Sequence, residues 1–274
     1  MQEKKLNYTY DVDPNSDTAA ASILKFVGKH KNVLEIGAGP GSITRALQDI
    51  NQCTLTAIEV YPDYIAKLKE FCPNVIGADL NDPQWCEKVA KHKKFDVIVA
   101  ADVLEHLYNP LICLKNMTTI LIVGGSIVIS LPHVGHAVIF ACLWDSNFEY
   151  GNWGLLDRTH IRFFGIKNIQ NLIEDARLKI INLDFIIRSP DQTEFAERWS
   201  QLPQSLKKEI FSNPVAYVYQ VVLQVVPEDC KCESFKITEF PIPPVHILPA
   251  DIPTRHFHLV DYIRNITRAI LWQE

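Results

Sequence analysis

A glycine-rich bend, Gly37–Gly41 (Gly-Ala-Gly-Pro-Gly), is the part of the sequence best suited to hold a ligand, and it directly follows the apolar stretch Val33–Ile36. Glycine lets the backbone turn sharply and lets a ligand approach without a Cβ in the way. Dinucleotide sites use the pattern G-x-G-x-x-G, whereas here the last glycine comes one residue early. Glu35 lies two residues before the bend, and a carboxylate there would repel a pyrophosphate but suit a cation. The bend therefore favours a positively charged ligand.

The spacing E-x-G-x-G-x-G across this segment resembles motif I of the class I S-adenosylmethionine-dependent methyltransferases, whose cofactor carries a sulfonium and an ammonium group rather than phosphates. The resemblance implies that the cofactor-binding residues here are Glu35, Gly37, Ala38, Gly39 and Gly41. A nicotinamide- or flavin-dependent enzyme is the alternative, because a glycine-rich bend alone is a weak signal.

Two further acids follow predicted strands. Glu59 ends the stretch Leu55–Glu59, 18 residues after Gly41. An acid at the end of the second strand of such a unit accepts hydrogen bonds from two ribose hydroxyls. Asp79 follows the third strand, and the resemblance implies that Asp79, with Leu80, meets the adenine. The alternatives are a solvated strand end for Glu59 and a turn cap for Asp79.

A second resemblance to the same superfamily is the run F-D-V-I-V-A-A-D-V-L-E-H-L at residues 95–107, whose E-H-L ending is typical of small-molecule and glycan methyltransferases. It implies that Asp102 faces the methionine end of the cofactor and that Glu105 and His106 begin a helix beside the acceptor. His106 is therefore a candidate acceptor-binding residue or base. A structural hydrogen bond at a helix start is the alternative.

Residues 133–165 form a long insertion that interrupts the alternation of strands and helices. Loops of this length in a compact domain are usually functional. The insertion leaves the carboxyl end of a strand beside the cofactor, where an acceptor must lie, because methyl transfer needs the nucleophile in line behind the methyl group. His136, Tyr150 and Trp153 are the acceptor-binding candidates here, although many of the aromatic residues equally suit a core.

The run G-L-L-D-R-T-H-I-R-F-F at residues 154–164 is a third resemblance, to bacterial methyltransferases of O-antigen, capsule and other surface-glycan gene sets. A sugar hydroxyl is a weak nucleophile, and histidine has the pKa to take its proton near neutral pH. His160, then His133, are the candidate bases, and Asp157 is the third catalytic candidate.

Two interpretations of the arginines in this run stay open. Arg158 and Arg162 are candidates to clamp an acidic or phosphorylated acceptor such as a nucleotide-sugar diphosphate. Alternatively, they form with Asp157 and His160 a structural hydrogen-bond network that closes the insertion over the site.

These candidates need a scaffold, and the hydrophobic pattern supplies one. Strands alternate with helices from Val33 to Leu131, which predicts an α/β fold with a doubly wound, mostly parallel sheet. The predicted strands are 33–36, 55–59, 74–78, 95–101, 126–131, 178–187 and an antiparallel 215–226; the predicted helices are 19–27, capped by Ser16 or Asp17, and 42–51, 62–71, 81–91, 111–121 and 166–175, with a helical stretch over 191–211. The resemblance implies seven strands in the order 3-2-1-4-5-7-6, the Rossmann-like methyltransferase fold.

The domain prediction has two parts. Residues 1–226 are expected to form the methyltransferase domain, with 133–165 as an acceptor-binding lid and Tyr8 or Tyr10 covering the site. Residues 227–274 are expected to form a proline-rich arm and an amphipathic helix. That helix would pack on the enzyme or on a second subunit, giving a homodimer, or would make a weak contact with a membrane or a glycan-assembly partner.

Composition narrows the class of protein. The net charge of −5 argues against a nucleic-acid partner. The seven cysteines form no regular framework and the start Met1–Lys5 is polar, so a cytoplasmic protein is expected. Cys230-x-Cys232 has no second pair, and direct displacement at carbon needs positioning and a base, so no metal is expected.

The sequence therefore predicts an O-methyltransferase that uses S-adenosylmethionine on a hydroxyl of a sugar, nucleotide-linked sugar or surface glycan. One alternative changes the acceptor to a phenolic, quinone-like or other natural-product hydroxyl, or to an amine. Another is a catalytically silent binding or scaffold protein that keeps the methyltransferase fold.

Overall fold

The computed structural model describes residues 9–89 and 94–237, which contain a seven-stranded sheet. The strands are β1 (Asn32–Ile36), β2 (Thr54–Glu59), β3 (Asn74–Gly77), β4 (Phe95–Ala101), β5 (Leu121–Pro132), β6 (Leu178–Ile187) and β7 (Val218–Pro227). Their order is β3-β2-β1-β4-β5-β7-β6, as predicted. The first five pair in parallel, and β7 pairs antiparallel with β5. The predicted doubly wound, mostly parallel α/β fold is confirmed.

The helices explain why the central strands are apolar on both faces, because helices cover both sides of a parallel sheet. They are α1 (Ala19–Val27), α2 (Ser42–Asp49), α3 (Pro62–Leu68), α4 (Pro110–Thr119), α5 (Ala137–Trp144), α6 (Ile166–Asp175), α7 (Ala196–Gln201) and α8 (Gln204–Phe211). Ile23 of α1 and Leu47 of α2 are buried in one cluster with Val33, Val97 and Val128 of the sheet. This cluster fixes α2 below the glycine bend.

The start of α1 differs from the prediction in its cap. Thr18, rather than Asp17 or Ser16, precedes the helix, and its hydroxyl accepts a hydrogen bond from the Ala21 amide at 3.3 Å. The Ser16 hydroxyl instead lies 2.9 Å from that of Thr18. The β-branched threonine thus supplies the capping oxygen that the first turn needs.

The helix predicted over 81–91 is replaced, in its described part, by a 3₁₀ turn at Trp85–Lys88. The Asp82 carboxylate accepts a hydrogen bond from the Gln84 amide at 3.0 Å. Such local side-chain bonds stabilise a turn at the expense of an α-helix. Residues 90–93, the end of the prediction, lie outside the described residues.

Strand β5 begins five residues earlier than predicted, at Leu121. The expected turn at Gly124–Gly125 is an irregularity within the strand, because Phe95 pairs with Leu121 whereas Val97 pairs with Ser126. Glycine tolerates this bulge because Gly124 has a φ of +80°. Similarly, a 3₁₀ turn at Pro214–Tyr217 replaces the first residues of the predicted last strand.

The described residues form two compact units. The first, 9–134, 150–186 and 220–236, holds the sheet and the glycine bend; the second contains 135–149 and 187–219 with α5, α7 and α8. The predicted lid 133–165 is therefore divided between the units instead of forming one element. Within the second unit, Arg198 pairs with Asp145 and Glu149 at 3.1 and 2.8 Å.

Two predicted features, Tyr8 and the amphipathic helix of the arm, lie outside the described residues, which end at Ile237. Among the helices in the described ranges, none combines the length and the apolarity that a membrane crossing requires.

Candidate cofactor and acceptor site

The glycine bend joins β1 to α2 and depends on glycine at three positions. Gly37, Gly39 and Gly41 have φ values of +62°, +55° and +92°. A Cβ at Gly37 would come within 2.7 Å of Val103, and one at Gly41 within 2.5 Å of Phe71. A Cβ at Gly39 would meet nothing within 4 Å, so this residue faces open space. Neighbouring side chains therefore pack against Gly37 and Gly41, whereas Gly39 is open to a ligand.

Glu59 at the end of β2 is tied to this bend. Its carboxylate accepts hydrogen bonds from the amides of Gly39 at 2.7 Å, Val60 at 2.7 Å and Tyr61 at 2.9 Å. The residue is only 5% exposed. Because a carboxylate has about four lone-pair positions, it can still accept from a ligand hydroxyl. The bend and the acid thus form one pre-arranged unit.

Glu35 lies below the bend and is 2% exposed. Its carboxyl group accepts a hydrogen bond from the Thr44 hydroxyl of α2. Burial, opposed by that hydrogen bond and reinforced by Glu59, raises the pKa of Glu35 to about 8. The residue is a buried link between β1 and α2, and its predicted contact with a cofactor stays a prediction.

Asp79 lies two residues past β3 and is exposed. One carboxylate oxygen, Oδ1, accepts hydrogen bonds from the Asn81 amide at 2.9 Å and its side chain at 3.2 Å. The residue therefore supports the turn that was considered as its alternative role. The half-exposed Leu80 follows it, and the predicted contacts of both residues with adenine stay predictions.

Asp102 follows β4 with a φ of +52°, an unusual backbone conformation for a residue other than glycine. Its carboxylate accepts from the Ser130 hydroxyl at 2.7 Å and from the Gln220 amide group at 3.0 and 2.9 Å. Tyr10 lies nearby, since its amide donates a hydrogen bond to the Ser42 hydroxyl at 3.0 Å. Burial, together with the negative charges of Asp102 and Glu35, raises the pKa of its phenol. The N-terminal segment thus reaches the start of α2. The predicted covering of the site by Tyr10 stays a prediction.

Glu105, His106 and His160 form a compact group, the Glu–His–His cluster, in which one ligand atom from each residue lies within 4.8 Å of the others. The first two residues belong to a 3₁₀ turn after β4 rather than to the start of a longer helix. The two imidazole rings meet edge to face, with centroids 4.8 Å apart.

Both imidazoles of the cluster are oriented by backbone carbonyls. His106 Nδ1 lies 3.1 Å from the Thr159 oxygen, and His160 Nδ1 lies 3.2 Å from the Leu155 oxygen. A carbonyl only accepts, so each Nδ1 is the protonated nitrogen and each Nε2 carries a lone pair. Burial and the neighbouring His106 lower the pKa of His160.

Asp157 positions this part of the chain. Its carboxylate accepts from the Thr159 amide and hydroxyl at 2.8 and 2.6 Å, and its carbonyl accepts from the His160 amide at 3.0 Å. The Glu105 carbonyl accepts from the Ile161 and Arg162 amides, both at 3.0 Å. These bonds support the structural-network interpretation of Asp157, and its predicted catalytic role stays a prediction.

The two other histidines of the insertion differ in their surroundings. His133 is 2% exposed and bridges to Phe164 in the first unit. His136 is fully buried in the second unit, where Nδ1 accepts from the Val138 amide at 3.4 Å and Nε2 lies 3.0 Å from the Arg188 carbonyl. Both nitrogens of His136 are engaged in these bonds, and its predicted contact with an acceptor stays a prediction.

The remaining acceptor-binding candidates are exposed. Arg158 donates from Nε to the Gly151 carbonyl at 3.3 Å, and Arg162 donates from one terminal nitrogen to the Tyr108 carbonyl at 2.6 Å. Each guanidinium has further N–H groups. Tyr150 and Trp153 are 49% and 60% exposed.

Some residues with a part in the site were not predicted as site residues. Glu105 was noted only as part of a helix start, although it is the buried acid of the cluster. Ser130 and Gln220, which hold Asp102, carry no sequence signal, because β5 and β7 reach Asp102 only through the sheet order.

A glycine bend after β1, an acid after β2 and this strand order define an α/β enzyme of the methyltransferase fold. Over residues 14–183 the chain matches the family described as a methyltransferase domain, and it belongs to that family. Its cofactor is S-adenosylmethionine. The structure fits this group, because Gly39 faces open space and Glu59 lies beside it at the end of β2.

Solved structures share the fold. A candidate methyltransferase from Bacillus halodurans is 14% identical, with a TM-score of 0.52 over 75% of this chain and 97% of that one. A SAM-dependent methyltransferase from Archaeoglobus fulgidus is 15% identical, with a TM-score of 0.52 over 75% and 91%.

A curated relative covers a shorter segment. The ribosomal protein L11 methyltransferase of Helicobacter acinonychis is 38% identical over 100 residues, which are 34% of this chain. The chain spans about 30% of the length of that relative.

Proposed function

We propose that this methyltransferase acts on a hydroxyl group of a sugar, a nucleotide-linked sugar or a surface glycan. The observation that carries the proposal is the Nε2 lone pair of His160, which is fixed by the bond from Nδ1 to the Leu155 carbonyl. A hydroxyl must lose a proton as it is methylated, so a hydroxyl acceptor needs such a base. An amine acceptor needs it less.

S-adenosylmethionine supplies, when bound, a methyl group on a sulfonium leaving group. Glu59 would hold the ribose side of the molecule beside Gly39, and Asp102 would face its methionine end. His160 would take the proton of the acceptor hydroxyl at Nε2 as that oxygen is methylated. The contribution of the chain is therefore orientation and proton removal.

The sugar class is supported by side chains of the segment 150–162, which also carries His160. Tyr150 and Trp153 are exposed aromatic residues that suit the apolar face of a sugar ring. Arg158 and Arg162 keep N–H groups for a phosphate of a nucleotide-linked sugar. The similarity of residues 154–164 to surface-glycan methyltransferases points the same way.

The test is a panel of acceptors with the full chain. S-adenosylhomocysteine formation would be followed with sugar nucleotides, a catechol, a primary amine and ribosomal protein L11, the last because of the curated relative. We expect turnover with a sugar nucleotide only. Turnover confined to the amine or to the protein contradicts the sugar proposal. Cofactor binding by calorimetry without turnover on any member would favour a silent binding protein.

We also propose a compartment and an assembly for this protein. The cytosol is supported by the cysteines of the described ranges, which are all free thiols, including Cys230 and Cys232 with their sulfur atoms 3.3 Å apart. A homodimer, or a contact with a membrane or assembly partner, would use residues 259–270, which lie outside the described residues. Gel filtration of the full chain measures the first of these.

A further inference from the structure

The Glu–His–His cluster contains one buried carboxylate, that of Glu105, whose hydrogen-bonding capacity is not satisfied by the described residues. Glu105 is 0% exposed, and neither carboxylate oxygen has a hydrogen-bond partner in the part of the chain that the structure describes. His160 Nε2 lies 3.8 Å from Oε1, which is too far for a hydrogen bond. Buried charges in proteins are normally paired or bind metal ions.

The two histidines have the arrangement of metal ligands. A metal-binding histidine usually donates its other ring N–H to a carbonyl or carboxylate, which fixes the ring and its tautomer. His106 and His160 do so to the Thr159 and Leu155 carbonyls. Their Nε2 lone pairs are left for the cluster, where each residue offers one ligand atom within 4.8 Å of the others.

We infer that Glu105, His106 and His160 bind a divalent first-row transition metal ion. Two imidazole nitrogens and one carboxylate oxygen are the donors that Zn²⁺, Fe²⁺, Co²⁺ and Mn²⁺ share, and three protein ligands leave a position for a further oxygen. Ligands around a tetrahedral ion lie about 3.5 Å apart, so the side chains need to close by about 1 Å. This assignment replaces the expectation of no metal.

The charges around the cluster agree with a cation. Burial raises the pKa of Glu105, and the negative charge of Asp102 adds to that rise; burial and His106 lower the pKa of His160, and Asp102 opposes that change. Asp102 therefore interacts with two of the three residues. Its own oxygens are held by Ser130 and Gln220. Asp102 therefore adds negative potential without being a required ligand.

The inference rests on the proposed function for its role in catalysis. An acceptor hydroxyl that occupies the open position of the ion would have its pKa lowered by the metal. Its proton would then pass to water, the oxygen–methyl bond would form, and the sulfur–methyl bond would break. With the ion present, His160 Nε2 is a ligand; without it, the same lone pair is the base proposed above.

Cobalt is the probe, because Co²⁺ bound to such ligands absorbs visible light. The metal-free full chain, carrying Cys230→Ser and Cys232→Ser to remove the exposed thiol pair, would be titrated with Co²⁺ by absorption and by calorimetry. We expect one equivalent to bind. Glu105→Gln should weaken the affinity by about 10- to 100-fold or more, whereas the matched exposed variants Glu87→Gln and His30→Asn should bind like the parent.

The parent measurement alone can overturn the inference. Absence of Co²⁺ binding by the folded parent excludes the site, and equal affinity in Glu105→Gln shows that the ion lies elsewhere. If Co²⁺ binds as expected but no hydroxyl acceptor is methylated, the site stands and the proposed function fails. If a sugar hydroxyl is methylated at full rate in the metal-free parent and Co²⁺ does not bind, the proposed function stands and the metal site fails.

Discussion

Two buried carboxylates at the carboxyl ends of the parallel strands differ in the hydrogen bonds that they accept. Glu59, 5% exposed, accepts three backbone amides, whereas Glu105, 0% exposed, accepts none in the described residues. The cofactor side is therefore complete before a ligand arrives, and the acceptor side is not. The chain itself supplies the hydrogen-bond partners of Glu59, whereas Glu105 would gain its partners from a bound ion or ligand.

The largest expected effect is on the acceptor side. His160→Ala removes the only side chain of the cluster that comes from the 150–165 segment, so kcat should fall by roughly 10²- to 10⁴-fold. Cofactor affinity, measured by calorimetry, should stay within about twofold because Glu59 and the bend are untouched. His30→Asn, an exposed histidine, is the control. Equal losses of kcat and cofactor affinity would show that the two sides are not separable.

Next in size is a contrast within the glycine bend. Gly41→Ala places a methyl group against Phe71 and Leu68 and strains a φ of +92°, so we expect a loss of about 2–5 kcal/mol in the free energy of unfolding. Gly39→Ala meets open space and should cost only about 1–2 kcal/mol, yet should abolish cofactor binding. Thermal unfolding and calorimetry measure both. A Gly39→Ala variant that binds the cofactor normally would contradict the assigned cofactor position.

A matched pair of substitutions tests the two carboxylates directly. Glu59→Gln sets an amide NH₂ against backbone N–H groups and should destabilise the metal-free protein by about 1–3 kcal/mol. Glu105→Gln removes a buried acid without partners and should leave the melting temperature unchanged or raise it. Glu70→Gln, on the exposed surface, reports the background. Destabilisation of the same size in both variants would show that Glu105 has a partner within the fold.

The smallest effect concerns pH. Since the pKa of Glu35 is raised to about 8 in the native state, the folded protein holds this proton more tightly than the unfolded chain. The contribution of this proton to the free energy of unfolding is present at low pH and is lost as pH rises from about 5 to about 8. Glu35→Gln should flatten this dependence by about 1 kcal/mol or more, measured by urea unfolding at several pH values. An unchanged slope would mean that Glu35 is ionised in the fold.

Local patterns made the cofactor side predictable. The glycine bend, its helix and Glu59 lie within a short segment, and the parallel pairing of β1 with β2 brings the acid to the bend. The strand order and the antiparallel β7 followed from the alternation and the family resemblance. The two strand starts that moved by more than one residue did so because Gly124 allows a bulge and Pro214 begins a 3₁₀ turn, which periodicity does not show.

The Glu–His–His cluster was predicted only in part, because its contacts join residues that are far apart in the sequence. Glu105 and His160 are joined by amides that reach the Glu105 carbonyl from Ile161 and Arg162. No local pattern reports such bonds. The Arg188 carbonyl that engages His136 likewise lies 52 residues away in the sequence.

The loop before His160 closes on itself: the Gly151 amide donates to the Leu156 carbonyl at 2.8 Å and the Arg158 amide to the Gly151 carbonyl at 3.0 Å. These main-chain hydrogen bonds would limit the structural effect of insertions or substitutions at residues 152–155. Such changes would leave the two imidazole rings of the Glu–His–His cluster in place. Divergence of specificity among homologues should therefore concentrate in this small surface segment.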